Sequence, residues 1–380
     1  MKIGFDARIA FYNSSGISCY IRGLLGALSG IESENKFVVY QSWRASQPLV
    51  TGPSVVNRKL VTPSHFKGES KTLALELRGS HLDLLQSLDF YTPTPSSLPL
   101  VTTIFDLYFL REPSCMGAQS YAHYEKIREY APTAIGNICI SEATRKQAVE
   151  QLGVESEKTS VIYPGFSRRA CPEISQVNSV LKDLGLSENF LLFVGTIEPR
   201  KNLDRLIFAY SLSRKKFGSR IPPLVLVGRA GYTASICLER INELNLSNCI
   251  FYLGERSDFE VDCLYAATRA VIYPSLWEGF GFPLLEAFSF GKPVITSNIS
   301  ALPEVGGNAP CYVNPYDVES ISAGIETVVL DSELAKELVR RGEQRLKLFS
   351  WEKSAIETLE AHERFLSGVA SDHNLERAYA

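Results

Sequence analysis

The sequence predicts an α/β chain of two similar domains, each built on a mostly parallel sheet. Three observations carry this. The chain has 380 residues, and a single hydrophobic core stops growing at roughly 250–300. Hydrophobic residues make up 45% and charged residues 21%, the composition of an ordinary globular protein with apolar material for two cores. Short β-branched runs alternate throughout with amphipathic segments, the signature of βαβ units.

In the first half the strand candidates are Lys2–Arg8, Phe37–Gln41, Val55–Val61, Asp83–Ser87, Leu100–Asp106, Ala134–Ser141 and Ser160–Tyr163. Helical spacing lies between them at Gly16–Leu28, Ser120–Tyr130 and Glu142–Leu152. After Tyr163-Pro164-Gly165 the pattern gives way to a polar stretch with Pro172, Ser175, Gln176, Asn178 and Ser179, read as a linker. The alternation then restarts with strands at Phe190–Gly195, Leu224–Gly228, Ile250–Gly254, Ala270–Pro274, Pro293–Ser297 and Cys311–Asn314. Its helices fall at Asn202–Phe217, Thr233–Asn245, Phe259–Ala267, Pro283–Phe290, Val318–Leu330 and Ser332–Leu348. A closing helix begins near Ser350, which can cap it. The expected division is 1–168 for the first domain, 169–187 for the linker, 188–348 for the second domain and 349–380 for a helix returning toward the first. Open parallel sheets bind ligands beyond their strands' carboxyl ends, so a cleft between the halves is the expected binding place.

Composition excludes several functions. The net charge of −3 offers no basic face to a nucleic acid. No stretch approaches the ~18–20 apolar residues that span a bilayer, and the start of the chain lacks a signal-peptide apolar region. Eight scattered cysteines without Cys-x-x-Cys pairs fit reduced thiols in the cytoplasm. Five scattered histidines show no metal-ligand spacing, so no metal is expected.

The richest segment is Tyr273-Pro274-Ser275-Leu276-Trp277-Glu278-Gly279-Phe280-Gly281-Phe282-Pro283-Leu284-Leu285-Glu286. A strand ends, two glycines let the backbone turn close to a ligand, and Pro283 suits a first helical turn. The amides at such a helix start attract an anion. Glu286 is expected in that first turn, able to accept two hydrogen bonds from a ribose diol, and Glu278 is placed to hold hydroxyls of a sugar. The plainer alternative makes Glu278 a surface residue and Glu286 a helix-dipole partner.

Glu278 and Glu286 with the glycines between them resemble the Glu-x7-Glu motif of the family-4 retaining glycosyltransferases, which adopt the GT-B fold of two Rossmann-like domains. Gly195-Thr196-Ile197-Glu198-Pro199-Arg200-Lys201-Asn202-Leu203 is similar to that family's donor-phosphate segment. Leu302–Gly307, Phe349-Ser350-Trp351 and Ser14-Ser15-Gly16-Ile17 extend the likeness over nearly the whole chain. The resemblance implies transfer of a hexose, mannose-like or 6-deoxy, from a nucleotide-diphosphate sugar to a saccharide or lipid-linked acceptor, with retention and without metal. It assigns Glu278, Arg200 and Lys201 to the chemistry, and Glu286, Phe280, Gly281, Phe282, Gly195, Thr196, Arg229, Gly254 and Arg256 to the donor. Ser15, Gly16, Phe105 and Asp106 fall to the diphosphate or acceptor side. Departing diphosphate develops negative charge, which fixed cations such as Arg200 and Lys201 stabilise when no metal does so.

Two departures from the family pattern stand out. Thr196 occupies a position that often carries an arginine, and Phe105 replaces a frequent histidine that reaches the sugar's 6-position. A phenyl ring makes no such hydrogen bond, so an apolar 6-position or simple packing of Phe105 follows. Rival readings are an epimerase or hydrolase of the same fold and a non-catalytic nucleotide-sugar binder. An oxidoreductase is disfavoured because no strand leads into Gly-x-Gly-x-x-Gly. Members of the resembled family often work while peripherally attached to a membrane, so contact with its inner face stays open, as does the oligomeric state.

Overall fold

The computed structural model describes the whole chain except residues 13–15, 90–92, 94–97, 232–233 and 379–380, with side chains described up to residue 368. It divides into two compact units, Met1–Ser167 with Phe349–Ala380, and Arg168–Leu348. The first unit holds β1 (Lys2–Asp6), β2 (Lys36–Ser42), β3 (Val55–Leu60), β4 (Leu84–Ser87), β5 (Leu100–Ile104), β6 (Gly136–Cys139) and β7 (Thr159–Val161). The second holds β8 (Leu191–Val194), β9 (Leu224–Val227), β10 (Ile250–Tyr252), β11 (Ala270–Tyr273), β12 (Val294–Ser297) and β13 (Cys311–Val313).

The sheet orders are β3-β2-β1-β4-β5-β6-β7 and β10-β9-β8-β11-β12-β13, with parallel pairing throughout. Each order reverses once, between β1 and β4 in one sheet and between β8 and β11 in the other. Such a switch point leaves a crevice at the carboxyl ends of its two strands, where ligands bind. Central strands such as Leu224–Val227 and Ala270–Tyr273 are buried along their whole length. Helices cover both faces of such strands, which is why they read as continuous apolar runs and not as alternating ones.

Three readings need correction. The polar stretch after Gly165 contains the helix Ile174–Asp183, which buries Val177 and Leu181 under a capping box of Glu173 and Gln176. Its hydroxyl and amide residues face solvent, and two apolar anchors at i and i+4 suffice to dock it. Ser120–Tyr130 is two short helices, Ala118–Tyr124 and Ile127–Tyr130. The first strand ends at Asp6, because Arg8 turns inward and is captured by Asp6 at 2.6 Å and Glu69 at 2.8 Å. The closing helix, Trp351–Ala378, is capped by Ser350 and belongs to the first unit. There its buried His362 bonds Gln86 of β4 at 2.9 Å.

Candidate functional site

The second unit concentrates its charged, buried groups where β8 and β11 diverge. Beyond β8 the chain makes a 3₁₀ turn, Pro199–Lys201, and enters the helix Leu203–Phe217 through Asn202 at φ 62°. The Asn202 side chain donates to the carbonyls of Pro274 (3.0 Å) and Pro315 (2.7 Å). Leu276 N–H donates to the Arg200 carbonyl at 2.7 Å. These bonds fasten the loop after β8 to the loop after β11, which fixes where their side chains meet.

They meet at Glu278. Its Oε1 accepts from Lys201 Nζ at 2.6 Å and its Oε2 from Arg200 Nη1 at 2.8 Å. Lys201 also donates to the Tyr273 hydroxyl at 2.5 Å, and Arg200 Nε pairs with Glu198 at 2.6 Å. Glu278 is only 7% exposed and Lys201 only 5%, so Glu278 is not a surface residue. Burial alone would raise the Glu278 pKa, but the facing Lys201 and Arg200 outweigh it and hold the carboxyl at about 2. A buried charge tolerates this only when paired and hydrogen-bonded. The arrangement is a preformed carboxylate socket with two cations attached, able to accept hydrogen bonds from hydroxyls and to offer cationic donors to a phosphate.

Glu286 lies in the helix Phe282–Ser289, one turn past its start and not in the first turn, which contains no acid. The helix dipole is felt within the first turn, so other groups govern this carboxylate. They are Arg169, whose Nη2 reaches Oε1 at 3.2 Å, and Tyr265, whose hydroxyl donates to Oε2 at 2.8 Å. Arg169 is itself anchored by Asp262 at 2.8 Å. Burial nonetheless pushes the Glu286 pKa up against Arg169 and Tyr265. Sequence reasoning missed Arg169, Tyr265 and Asp262, because nothing in spacing links Arg169 to a partner 117 residues away.

The remaining second-unit candidates line the carboxyl edge of the same sheet. Phe280 is buried and meets the Phe282 ring edge-on at 5.2 Å. Gly281 precedes the helix at φ 124°, a conformation closed to side-chain-bearing residues. Gly195 N–H bonds the Val227 carbonyl, Gly228 N–H bonds Gly254, and Ile197 N–H bonds Arg229, so three successive loops form one rim. Thr196 is half-buried and Arg229 exposed on it. Arg256 donates to the Leu253 carbonyl at 2.6 Å.

In the first unit, Gly16 opens the helix Gly16–Gly30 and Ser15 lies outside the described residues. Phe105 packs edge-on against the buried Tyr20, centroids 5.1 Å apart. Asp106 accepts from Tyr108 N–H at 3.2 Å and so caps the loop after β5.

Parallel sheets of these orders, each with a single switch point, define a doubly wound, Rossmann-like α/β fold. HepE from Anabaena, solved with UDP and glucose, aligns over 96% of this chain and 99% of its own at a TM-score of 0.71 and 19% identity, and the fold is GT-B. Residues 181–345 match the family described as Glycosyl transferases group 1. O-antigen chain mannosyltransferase B of Escherichia coli is 32% identical over 265 residues, 69% of each chain. O-antigen chain mannosyltransferase RfbU of Salmonella typhimurium is 30% identical over 290 residues, 76% of this chain and 69% of its own. The chain belongs to the group 1 glycosyltransferase family.

Proposed function

We propose that the protein transfers a hexose, mannose in first place, from a nucleotide-diphosphate sugar to a hydroxyl of a saccharide or lipid-linked acceptor, with retention of configuration and without a metal. The observation that carries this reading is the buried Glu278 holding Lys201 and Arg200 at the β8/β11 switch point. When the donor enters, its sugar hydroxyls donate to Glu278, and Lys201 and Arg200 turn part of their donor capacity to the β-phosphate. Charge-assisted bonds of this kind contribute about 1.5–3 kcal/mol each. They strengthen as the phosphate takes up charge on departure, which is the differential stabilisation a transfer reaction needs. Glu286, steadied by Arg169 and Tyr265, keeps lone pairs for the ribose diol. Phe280, Gly281 and Phe282 supply the close backbone approach, and the rim of Gly195, Thr196, Arg229, Gly254 and Arg256 borders the nucleoside. The leaving phosphate takes the acceptor proton, so no separate base is required. Glu278 and Glu286 act as the two acids of a Glu-x7-Glu motif.

The mannose reading is supported by the names of the two relatives above. A second reading, a 6-deoxyhexose donor, rests on Phe105, whose ring offers no hydrogen bond. Competition between a 6-deoxy donor and its 6-hydroxy counterpart separates them, and preference for the hydroxylated sugar removes the second. Work in the cytoplasm at the inner membrane face fits eight free cysteines; among the described residues no helix is long and apolar enough to cross a membrane.

A thermal-shift screen of UDP-, GDP-, dTDP- and ADP-sugars tests the proposal. A donor at a hundred times its Kd stabilises by about 2.7 kcal/mol, raising the melting point by roughly 5–10 °C. Silence toward every sugar nucleotide rejects it. A response to donor accompanied by epimerisation or rapid hydrolysis, and by no transfer, replaces it with the epimerase or hydrolase.

A further inference from the structure

The first unit carries a second cluster of titratable groups at the carboxyl edge of its sheet, remote in sequence from Glu278 and unused by the chemistry above. The loop after β3 folds back across the edge, and Arg8, itself beyond β1, ties it down by donating to the Thr62 carbonyl at 2.8 Å. Glu69, 1% exposed, accepts from Arg8 at 2.8 Å and from His65 N–H at 2.7 Å. These bonds hold His65 at φ 62°. A non-glycine residue keeps that conformation only where its surroundings over-determine it, and such residues gather at ligand sites.

So placed, His65 Nε2 meets Asp89, beyond β4, at 3.0 Å. Its ring lies 4.4 Å from that of His123 and 5.2 Å, edge-on, from that of Tyr124, both on the helix Ala118–Tyr124. The His65 side chain is 30% exposed and that of Asp89 12%, so the pair is reachable from solvent while its supports are not.

The charges indicate what such a cluster would take. Arg8 is enclosed by Asp6 and Glu69, and Asp89 faces His65. A phosphate meets the Asp89 carboxylate here. A neutral polyhydroxyl ligand finds a carboxylate to accept, imidazoles to donate and accept, and an aromatic wall for its C–H faces.

We propose that the His65–Asp89 pair, walled by His123 and Tyr124, is the subsite that holds the acceptor saccharide. The inference rests on the transferase reading. Burial opposes the charged form of His65, but the hydrogen bond and charge of Asp89, with Glu69, outweigh it and Arg8 and raise the pKa. Burial and the neighbouring His65 lower that of His123 to about 4. The raised His65 pKa favours that imidazole as donor, and the lowered His123 pKa favours its neighbour as acceptor.

The test uses the full chain with its responding donor at saturation and methyl α-mannoside or α-mannobiose as acceptor. Asp89→Asn keeps the shape and removes the charge. His65→Asn keeps a residue that tolerates positive φ. Both variants should raise the acceptor KM ten-fold or more while the donor Kd by calorimetry stays within two-fold. The wild-type acceptor KM should climb as pH rises through the His65 pKa, and Asp89→Asn should move that climb to lower pH. On the wild type itself, acceptor and not donor should slow carbethoxylation of His65 by diethylpyrocarbonate, read by peptide mass, so a variant that fails to fold does not block the answer. Acceptor KM within two-fold of wild type in folded variants, or a His65 that acceptor leaves unprotected, overturns the inference. Absence of wild-type transfer to every acceptor overturns instead the transferase reading.

Discussion

Replacing Glu278 by glutamine changes one charge at the centre of the candidate site and nothing of its shape. The folded-state pKa of about 2 lies below the ordinary glutamate value of 4.5, and each tenfold in the proton equilibrium is worth about 1.4 kcal/mol. The carboxylate therefore contributes about 3 kcal/mol at neutral pH. Because the folded pKa is depressed, that contribution is complete above 4.5 and is lost as pH falls toward 2. The Gln variant also leaves the buried Lys201 ammonium facing a neutral amide beside the Tyr273 hydroxyl, and removing one member of a buried ion pair typically costs about 3–5 kcal/mol. The two routes agree in scale. Unfolding followed by calorimetry should show the second-unit transition of Glu278→Gln lowered by roughly 6–12 °C at pH 7. The free-energy gap to wild type should shrink to about half by pH 3, where the unfolded wild-type chain has protonated this carboxyl while the folded one still holds it mostly ionised. A gap of equal size at pH 7 and pH 3, or one under about 0.5 kcal/mol at pH 7, refutes the claim that electrostatics hold this socket together.

Lys201→Ala and Glu286→Ala should each cut turnover ten-fold or more in a donor-saturated transfer assay, since about 1.4 kcal/mol of lost transition-state stabilisation is a factor of ten; near-normal rates in both would withdraw their assignment. Arg169→Ala should weaken donor binding in calorimetry, because the buried Glu286 loses its cation and becomes harder to keep ionised. Gly228→Ala should destabilise by roughly 2–3 kcal/mol in denaturant melts, as a Cβ there strikes the Gly195 carbonyl oxygen at φ 143°. Gly254→Ala, with open space at φ 74°, should cost about 1–2 kcal/mol. His362, fully buried, has its pKa lowered by burial to about 3, so the unfolded chain binds its proton first and stability falls as pH drops from about 6.5 toward 3. His362→Leu should flatten that acid limb of the first-unit melt by at most about 5 kcal/mol, and an unchanged limb would show that the ring is not the cause.

Each of the thirteen strands among the described residues was legible; the central ones, buried on both faces, must be continuous apolar runs, and Leu-Val-Leu-Val or Ala-Val-Ile-Tyr has few other uses. Helix Glu142–Leu152 was equally plain, opened by Ser141 and closed by Gly153 at φ 67°. Helix Ile174–Asp183 was hidden because it buries two residues and exposes polar ones. Within the site, Glu278, Arg200 and Lys201 could be named from the loops that carry them.

The sequence by itself determined that the chain is α/β twice over, and which loops would carry acids, cations and glycines, because strand burial and turn chemistry are local and written in short windows. Only the tertiary structure decided that Glu278 lies buried between Lys201 and Arg200, that Glu286 answers to Arg169 and Tyr265 and not to its helix, and that His65 crosses the sheet edge to Asp89. These are distances between groups far apart along the chain. They depend on how a parallel sheet orders its strands, and no spacing in the sequence records that order.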